Sequence, residues 1–282
     1  MPLRQVDAAT LDTLYADLLA SGGRDDGHGN PTPLSPQTVA LVHRILHRAF
    51  KDAVHPARLL RSNPAADVAV PRSTAPRTMK VWTADELRAF LASVTDERLR
   101  TLWVLAATTG MRRGELCGLQ WDDISFAANQ LAVRRSRVPV NGKIIESTPK
   151  SDRTRVVALD PGTVAILRAH RRRQLEERLA AGTAWHDTGY VFCNELGEPV
   201  RPDAVTRAFT QQIRTAGLSP IELHGLRHTH ATLGLAAGVP VKIMSERLGH
   251  AKTAITEDLY MHVDPTMQHG AAETLGAIIL GP

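Results

Sequence analysis

Leu11, Leu14, Tyr15, Leu18 and Leu19 recur at three- and four-residue spacing, which predicts an amphipathic helix over residues 7–20. A polar stretch, SGGRDDGHGNPTP, follows with the glycines and prolines that end helices. Ser35-Pro36 restarts one, with serine as N-cap and proline at the first helical position. Val39, Val42, Ile45, Leu46 and Phe50 form its expected buried stripe. The run NPAADVAVPRSTAPR, rich in proline and small residues, reads as a linker. Beyond it, Thr83-Ala-Asp-Glu86 is a capping box, and Leu99, Leu102, Trp103, Leu105 and Ala106 place a more apolar helix over 98–109. Between 122 and 159 the pattern changes to short β-type runs: Leu131–Val133, Lys143–Ile145 and Val156–Leu159. Asn141-Gly142 between two of them is a hairpin turn, so the expectation is one three-stranded antiparallel sheet. Asp160-Pro161 opens a helix reaching about Ala180, and the rest is helical apart from a short run at Tyr190–Phe192. The expected fold class is mainly α with a small antiparallel β-sheet (α+β). A helical region 1–72, a linker 73–79 and a larger region 80–282 divide the chain.

Composition narrows the setting. With 43% hydrophobic residues, 282 residues can bury a proper core. No run of about 18 uncharged apolar residues exists, so no membrane span is expected. The N-terminus lacks the basic stretch and apolar core of a signal peptide. Cys117 and Cys193 are the two cysteines, and they match no metal or redox spacing. Ordinary thiols fit a reducing compartment, so the expected location is the cytoplasm. The formal net charge is +5, but its distribution is more telling. From Arg134 to Arg178 there are twelve Lys/Arg against five Asp/Glu. That excess fits a phosphate-facing surface and fits equally a solvated helix face around Arg171, Arg172 and Arg173.

Four separated segments carry reactive side chains. TTGMRRGELCGLQWDDI holds Arg112, after a Gly110 able to end a helix, and Glu115 three residues on. TPKSDRTRVVAL holds Lys150, HGLRHTHATL holds His224 and Arg227 one helical turn apart, and LGH ends on His250 shortly before Tyr260 in TEDLYMH. Two arginines offer forked donors to phosphate oxygens. A lysine and two histidines exchange protons, and a tyrosine supplies a hydroxyl nucleophile. These segments contain no carboxylate cluster for Mg²⁺. Phosphoryl transfer without a metal needs cationic side chains to meet the developing charge, which fits a phosphotyrosyl intermediate. Of three tyrosines, Tyr15 lies in an amphipathic helix and Tyr190 in an apolar run, which leaves Tyr260 as the candidate. A zinc site built from His224, His228, His230, His250 and His262 is a poorer fit. His228 and His230, two apart on a helix, point to different faces, and no His-Glu-x-x-His string occurs.

In order and spacing, the four segments resemble the boxes of tyrosine recombinases of the phage integrase type, and they cover most of residues 80–262. The resemblance implies that Arg112 and Arg227 bind the scissile phosphate and that Tyr260 attacks it to form a 3′-phosphotyrosyl bond. It implies that Lys150 protonates the departing 5′-oxygen, that His224 is the acid/base partner of the tyrosine, and that His250 hydrogen-bonds the phosphate. Glu115 would buttress Arg112. No metal, cofactor or ATP is implied. The partner implied is double-stranded DNA at specific recombination sites, bound as a homotetramer with accessory DNA-bending or directionality proteins at the nucleoid. Residues 1–72 resemble the family's helical core-binding (SAM-like) DNA-binding domain. They resemble it only in part, as if the chain were N-terminally truncated after the first helix and lacked an arm-binding domain. The alternative is a truncated DNA-binding remnant without recombination activity; a type IB topoisomerase shares the chemistry but matches the strings less well. Leu275, Ile278, Ile279 and Leu280 suggest a last helix that packs on its own chain or on a neighbouring protomer.

Overall fold

A computed structural model describes residues 1–25, 27–71, 79–148 and 154–249. The chain divides into two compact units, Met1–Thr78 and Met79–Pro282.

The first unit is built on α1 (Ala8–Ser21) and α2 (Pro36–Val54). Asp7 caps α1 by accepting the Thr10 amide at 2.8 Å, and Ser35 caps α2 by accepting that of Thr38 at 3.2 Å. Leu11, Tyr15, Val39, Phe50, Ala65 and Val68 form its core. Ile45, expected in the buried stripe, is 60% exposed. At 3.6 residues per turn it lies about 120° from Val39, whereas His43 falls on the buried face. His43 meets its polar requirement there by a 3.0 Å hydrogen bond to the Tyr15 hydroxyl, and burial pushes its pKa down.

The second unit runs α3 (Ala84–Ser93), α4 (Glu97–Thr109), α5 (Arg113–Gly118), β1 (Ile124–Ser125), β2 (Gln130–Val133), β3 (Ser136–Val140), β4 (Lys143–Ser147) and β5 (Arg155–Ala158). It continues through α6 (Pro161–Ala181), α7 (Pro202–Ala216), α8 (Leu223–Ala236) and α9 (Val241–Leu248). The Thr83/Glu86 capping box forms as expected: the Thr83 hydroxyl accepts the Glu86 amide at 3.2 Å, and the Glu86 carboxylate accepts the Thr83 amide at 2.8 Å. Asp160 likewise caps α6. Helix α4 is the central element, with Thr101–Ala107 and Thr109 all buried. Around Trp103, the rings of Trp82, Phe90 and Phe209 pack at centroid separations such as 5.0 Å (Trp82–Phe90) and 5.2 Å (Trp103–Phe209).

The strands depart from expectation. Strands β1, β2 and β5 make a three-stranded antiparallel sheet, with Leu131 opposite Val157. Lys143–Ile145 is not part of it. That run lies in β4, which pairs with β3 in a separate two-stranded ribbon, Val138 opposite Ile145. The Asn141-Gly142 turn closes this ribbon with φ of 49° and 77°, the paired positive values a tight hairpin requires. Most ribbon side chains are not buried, so no clean alternation marks it.

Much of the positive charge between Arg134 and Arg178 has partners within the unit. Arg134 and Arg135 meet the buried Asp123 at 3.4 and 2.7 Å, and Arg178 meets Asp187 at 2.9 Å. Arg168 lies over the Phe126 ring and Arg171 over Trp121. No helix of the described residues is long and apolar enough to cross a membrane.

Candidate active site

Helix α4 ends at Gly110, whose φ of +64° is the left-handed conformation that glycine adopts without strain. The chain then turns to present Arg112 immediately before α5. In the first turn of α5, Glu115 has a side chain only 1% exposed. One carboxylate oxygen accepts the Arg112 amide at 2.8 Å and the other its Nη1 at 2.9 Å. The expected buttress is therefore present, but Arg112 is not its only partner. Arg155, from β5, donates Nη1 and Nη2 to the same two oxygens at 2.9 and 2.7 Å. Burial alone pushes the Glu115 carboxyl up. The hydrogen bonds and charge of Arg155, joined by those of Arg112, outweigh it and hold the group below the usual carboxylate range.

Arg227 rises from α8, one turn after His224, and is buried at 3% exposure. It donates Nη1 to the Gly110 carbonyl at 2.7 Å and Nη2 to the Leu248 carbonyl at 2.6 Å. Arg112 Nη2 lies 3.4 Å from the next carbonyl, that of Gly249. Two arginines more than a hundred residues apart thus converge on adjacent peptide units at the end of α9, where the sequence continues into His250. Arg112, Glu115, Thr148 and His224 line one side of a cleft of about 1030 Å³ that also takes in the β3–β4 ribbon at Ser136 and Ser147. The His224 and His228 rings meet edge to face at 4.6 Å.

His230 faces elsewhere. Its Nδ1 donates to the Ala107 carbonyl at 2.8 Å, and its Nε2 accepts from Arg247 Nε at 3.3 Å. Burial, reinforced by the Arg247 charge, pushes its pKa down to about 4, so it is neutral. Arg247 also donates to the carbonyls of Thr108 and Ala158 at 2.7 and 3.0 Å. The last carbonyls of α4, orphaned by the end of the helix, are therefore met by His230, Arg247 and Arg227, and two of these are cations at the negative end of a helix dipole.

Of the residues expected from sequence, Arg112, His224 and Arg227 lie in the described part. Lys150, His250 and Tyr260 lie outside the described residues, as do His262 and the C-terminal segment. Among the described residues, no group of three His, Cys, Asp or Glu side chains is placed to hold a metal ion. Sequence reasoning did not give Arg155, Arg247 or His230 a role in the frame. Arg155 had a readable signal: it precedes buried Val157 by two positions on a strand, which puts both on the inward face. Arg155 is committed to Glu115 and to the Arg247 carbonyl at 2.9 Å.

Residues 80–267 match the model of the phage integrase family. Over 264 residues the chain is 31% identical to a XerC-like tyrosine recombinase of Caldanaerobacter subterraneus, spanning 87% of this chain and 67% of that protein. Over 256 residues it is 30% identical to the ICEBs1 integrase of Bacillus subtilis, spanning 89% and 68%. The solved structure of the Tn1549 transposon integrase in complex with transposon right end DNA has the same fold, with a TM-score of 0.77 at 19% identity over 98% of this chain and 88% of that one. The family match covers all four sequence boxes, including those outside the described residues. The chain belongs to the phage integrase family of tyrosine recombinases.

Proposed function

We propose that this protein cuts and rejoins double-stranded DNA at specific sites, with Tyr260 as nucleophile and without metal or ATP. The Tyr260 oxygen attacks the scissile phosphorus as its proton passes to the His224 side. The bond from phosphorus to the 5′-oxygen breaks, and Lys150 protonates that oxygen. The product is a 3′-phosphotyrosyl bond and a free 5′-hydroxyl. Attack by a 5′-hydroxyl of another strand reverses the step, so the energy of the broken bond is kept for rejoining. Arg112 and Arg227 hold the phosphate and meet the charge that grows on its equatorial oxygens. His250 adds a hydrogen bond.

The observation that carries this reading is the convergence of Arg112 and Arg227 on the Leu248–Gly249 turn, one residue before His250. In the same reading, unit Met1–Thr78 is the helical core-binding part, four protomers act together on two DNA sites, and accessory DNA-bending or directionality proteins set the outcome. The protein then works in the cytoplasm at the nucleoid. A remnant that binds DNA without cutting it is not favoured, since the match to recombinases and integrases runs through every catalytic box.

The test uses nicked suicide substrates made from DNA flanking the gene, incubated with protein in EDTA and resolved on a denaturing gel. A covalent protein–DNA band that is lost in Tyr260→Phe is expected. DNA retardation on a native gel with no covalent band would instead favour the binding remnant.

A further inference from the structure

The Glu115 carboxylate serves two guanidinium groups in one buried cluster. The charges count simply: Arg112 and Arg155 bring two positive charges and Glu115 one negative. Arg155 is the better-matched partner. It binds both carboxylate oxygens with its paired Nη atoms at 2.9 and 2.7 Å, and its side chain is 9% exposed. Arg112 gives the carboxylate one guanidinium bond, at 2.9 Å, and its side chain is 28% exposed at the cleft. The third nitrogen of Arg155, Nε, donates to the Arg247 carbonyl at 2.9 Å, so all three of its nitrogens are engaged within the frame, and Arg155 is not among the residues that line the cleft. Within a shielded site a single carboxylate facing a single arginine would cancel it, because ion pairing strengthens as the local dielectric falls.

We infer that Arg155 is a positioning residue that occupies the Glu115 carboxylate, so that Glu115 fixes the geometry of Arg112 without neutralising the charge that Arg112 offers to a phosphate. The inference rests on the reading of Arg112 as a phosphate ligand. Glu115 has to be present to orient Arg112, through both its backbone amide and its guanidinium, yet alone it would compete with the phosphate for that guanidinium. Arg155 resolves the conflict by leaving the cluster with one net positive charge. Its Nε also ties the cluster to the Arg247 carbonyl, one residue before the Leu248–Gly249 turn that Arg227 and Arg112 reach.

This makes a prediction that a packing role does not share. Arg155→Gln leaves Glu115 to pair with Arg112 alone, and covalent adduct formation on a suicide substrate should slow by about 100-fold, the scale for losing one preorganised charge-stabilising contact. Adding Glu115→Gln to that variant restores the net charge, and the double variant should return to within about tenfold of wild type. Arg155→Lys keeps the charge and loses the fork, and should also stay within about tenfold; it guards against a loss due only to misfolding, which thermal melting of each variant monitors. A double variant as slow as Arg155→Gln or slower, or equal losses for Arg155→Lys and Arg155→Gln, would overturn the inference. Arg112→Ala separates the two levels. Wild-type cleavage by Arg112→Ala would sink the phosphate-ligand reading and the inference with it, whereas an inactive Arg112→Ala beside a fully active Arg155→Gln would sink the inference alone.

Discussion

Gly110 and Gly217 form a natural matched pair. Both follow a helix, with φ of +64° and ψ of 21° and 24° respectively. A Cβ at Gly217 meets nothing within 4 Å, whereas one at Gly110 would stand 2.6 Å from Leu248 Cδ2 and 2.8 Å from His230 Cδ2. Alanine at either site incurs the left-handed strain, roughly 1–2 kcal/mol. At Gly110 alone, overpacking adds a further 1–3 kcal/mol or so. With an unfolding entropy of about 2.1 cal/mol/K per residue, a unit of roughly 200 residues loses about 2–3 °C in Tm per kcal/mol. Gly217→Ala should then melt about 3 °C below wild type, and Gly110→Ala roughly 5–12 °C below. The neighbours of Gly110 matter for activity as well. Its carbonyl anchors Arg227 Nη1, and the side chain that would clash belongs to Leu248, whose carbonyl anchors Nη2. Displacing both anchors by a fraction of an ångström should cost on the order of 100-fold in adduct formation. Gly217→Ala should cleave normally. Melting by circular dichroism and suicide-substrate cleavage read the two effects. Equal Tm losses for the two variants, or normal cleavage by Gly110→Ala, would refute the packing argument.

Stability should depend on pH through two neutral, buried histidines. His170 and His230 are both pushed down to about 4, in each case by burial first, so the unfolded chain binds the extra protons. The stability they contribute is fully present above about pH 6.5 and is lost as pH falls toward 4, at up to about 1.4 kcal/mol per pH unit for each. Tm measured from pH 7.5 to 4.5 should therefore fall, and less steeply in His170→Gln; a flat profile contradicts the buried, neutral assignment. Phe209→Ala removes the ring packed against Trp82, Phe90 and Trp103 and should cost about 3–5 kcal/mol in denaturant unfolding. A loss below about 1 kcal/mol would mean that the aromatic cluster is not the centre of the core.

Sequence and structure agree where local chemistry dictates the outcome. The Thr83 capping box, the Ser35-Pro36 and Asp160-Pro161 helix starts and the Asn141-Gly142 turn all form where the residues call for them, because each is satisfied within a few positions along the chain. The departures arise where packing beyond the local chain decides the outcome. The β3–β4 ribbon has no separate signature in the sequence because its half-exposed strands, one containing Pro139 and Arg137, carry no hydrophobic alternation. His43 is buried against Tyr15 while Ile45 faces out, a choice made by tertiary packing across 28 residues rather than by hydrophobicity. In the candidate site, Arg112, His224 and Arg227 were legible because their chemistry is distinctive and their strings match a known family. Arg247 was not, since an arginine that serves as an internal tie looks in sequence like any surface charge; the alternation of Arg155 with Val157 marks its face of the strand but not its partners.

The central claim is that the covalent bond to DNA forms at Tyr260. No lysine or arginine occurs between Thr253 and Pro282, so trypsin releases Tyr260 in one peptide that holds neither Tyr15 nor Tyr190. Protein trapped on a suicide substrate in EDTA would be digested with nuclease and trypsin and its peptides measured by mass spectrometry. A nucleotide remnant on the Thr253–Pro282 peptide, fragmenting to Tyr260, is the predicted result. A remnant on another residue, or an adduct that persists in Tyr260→Phe, would contradict the account.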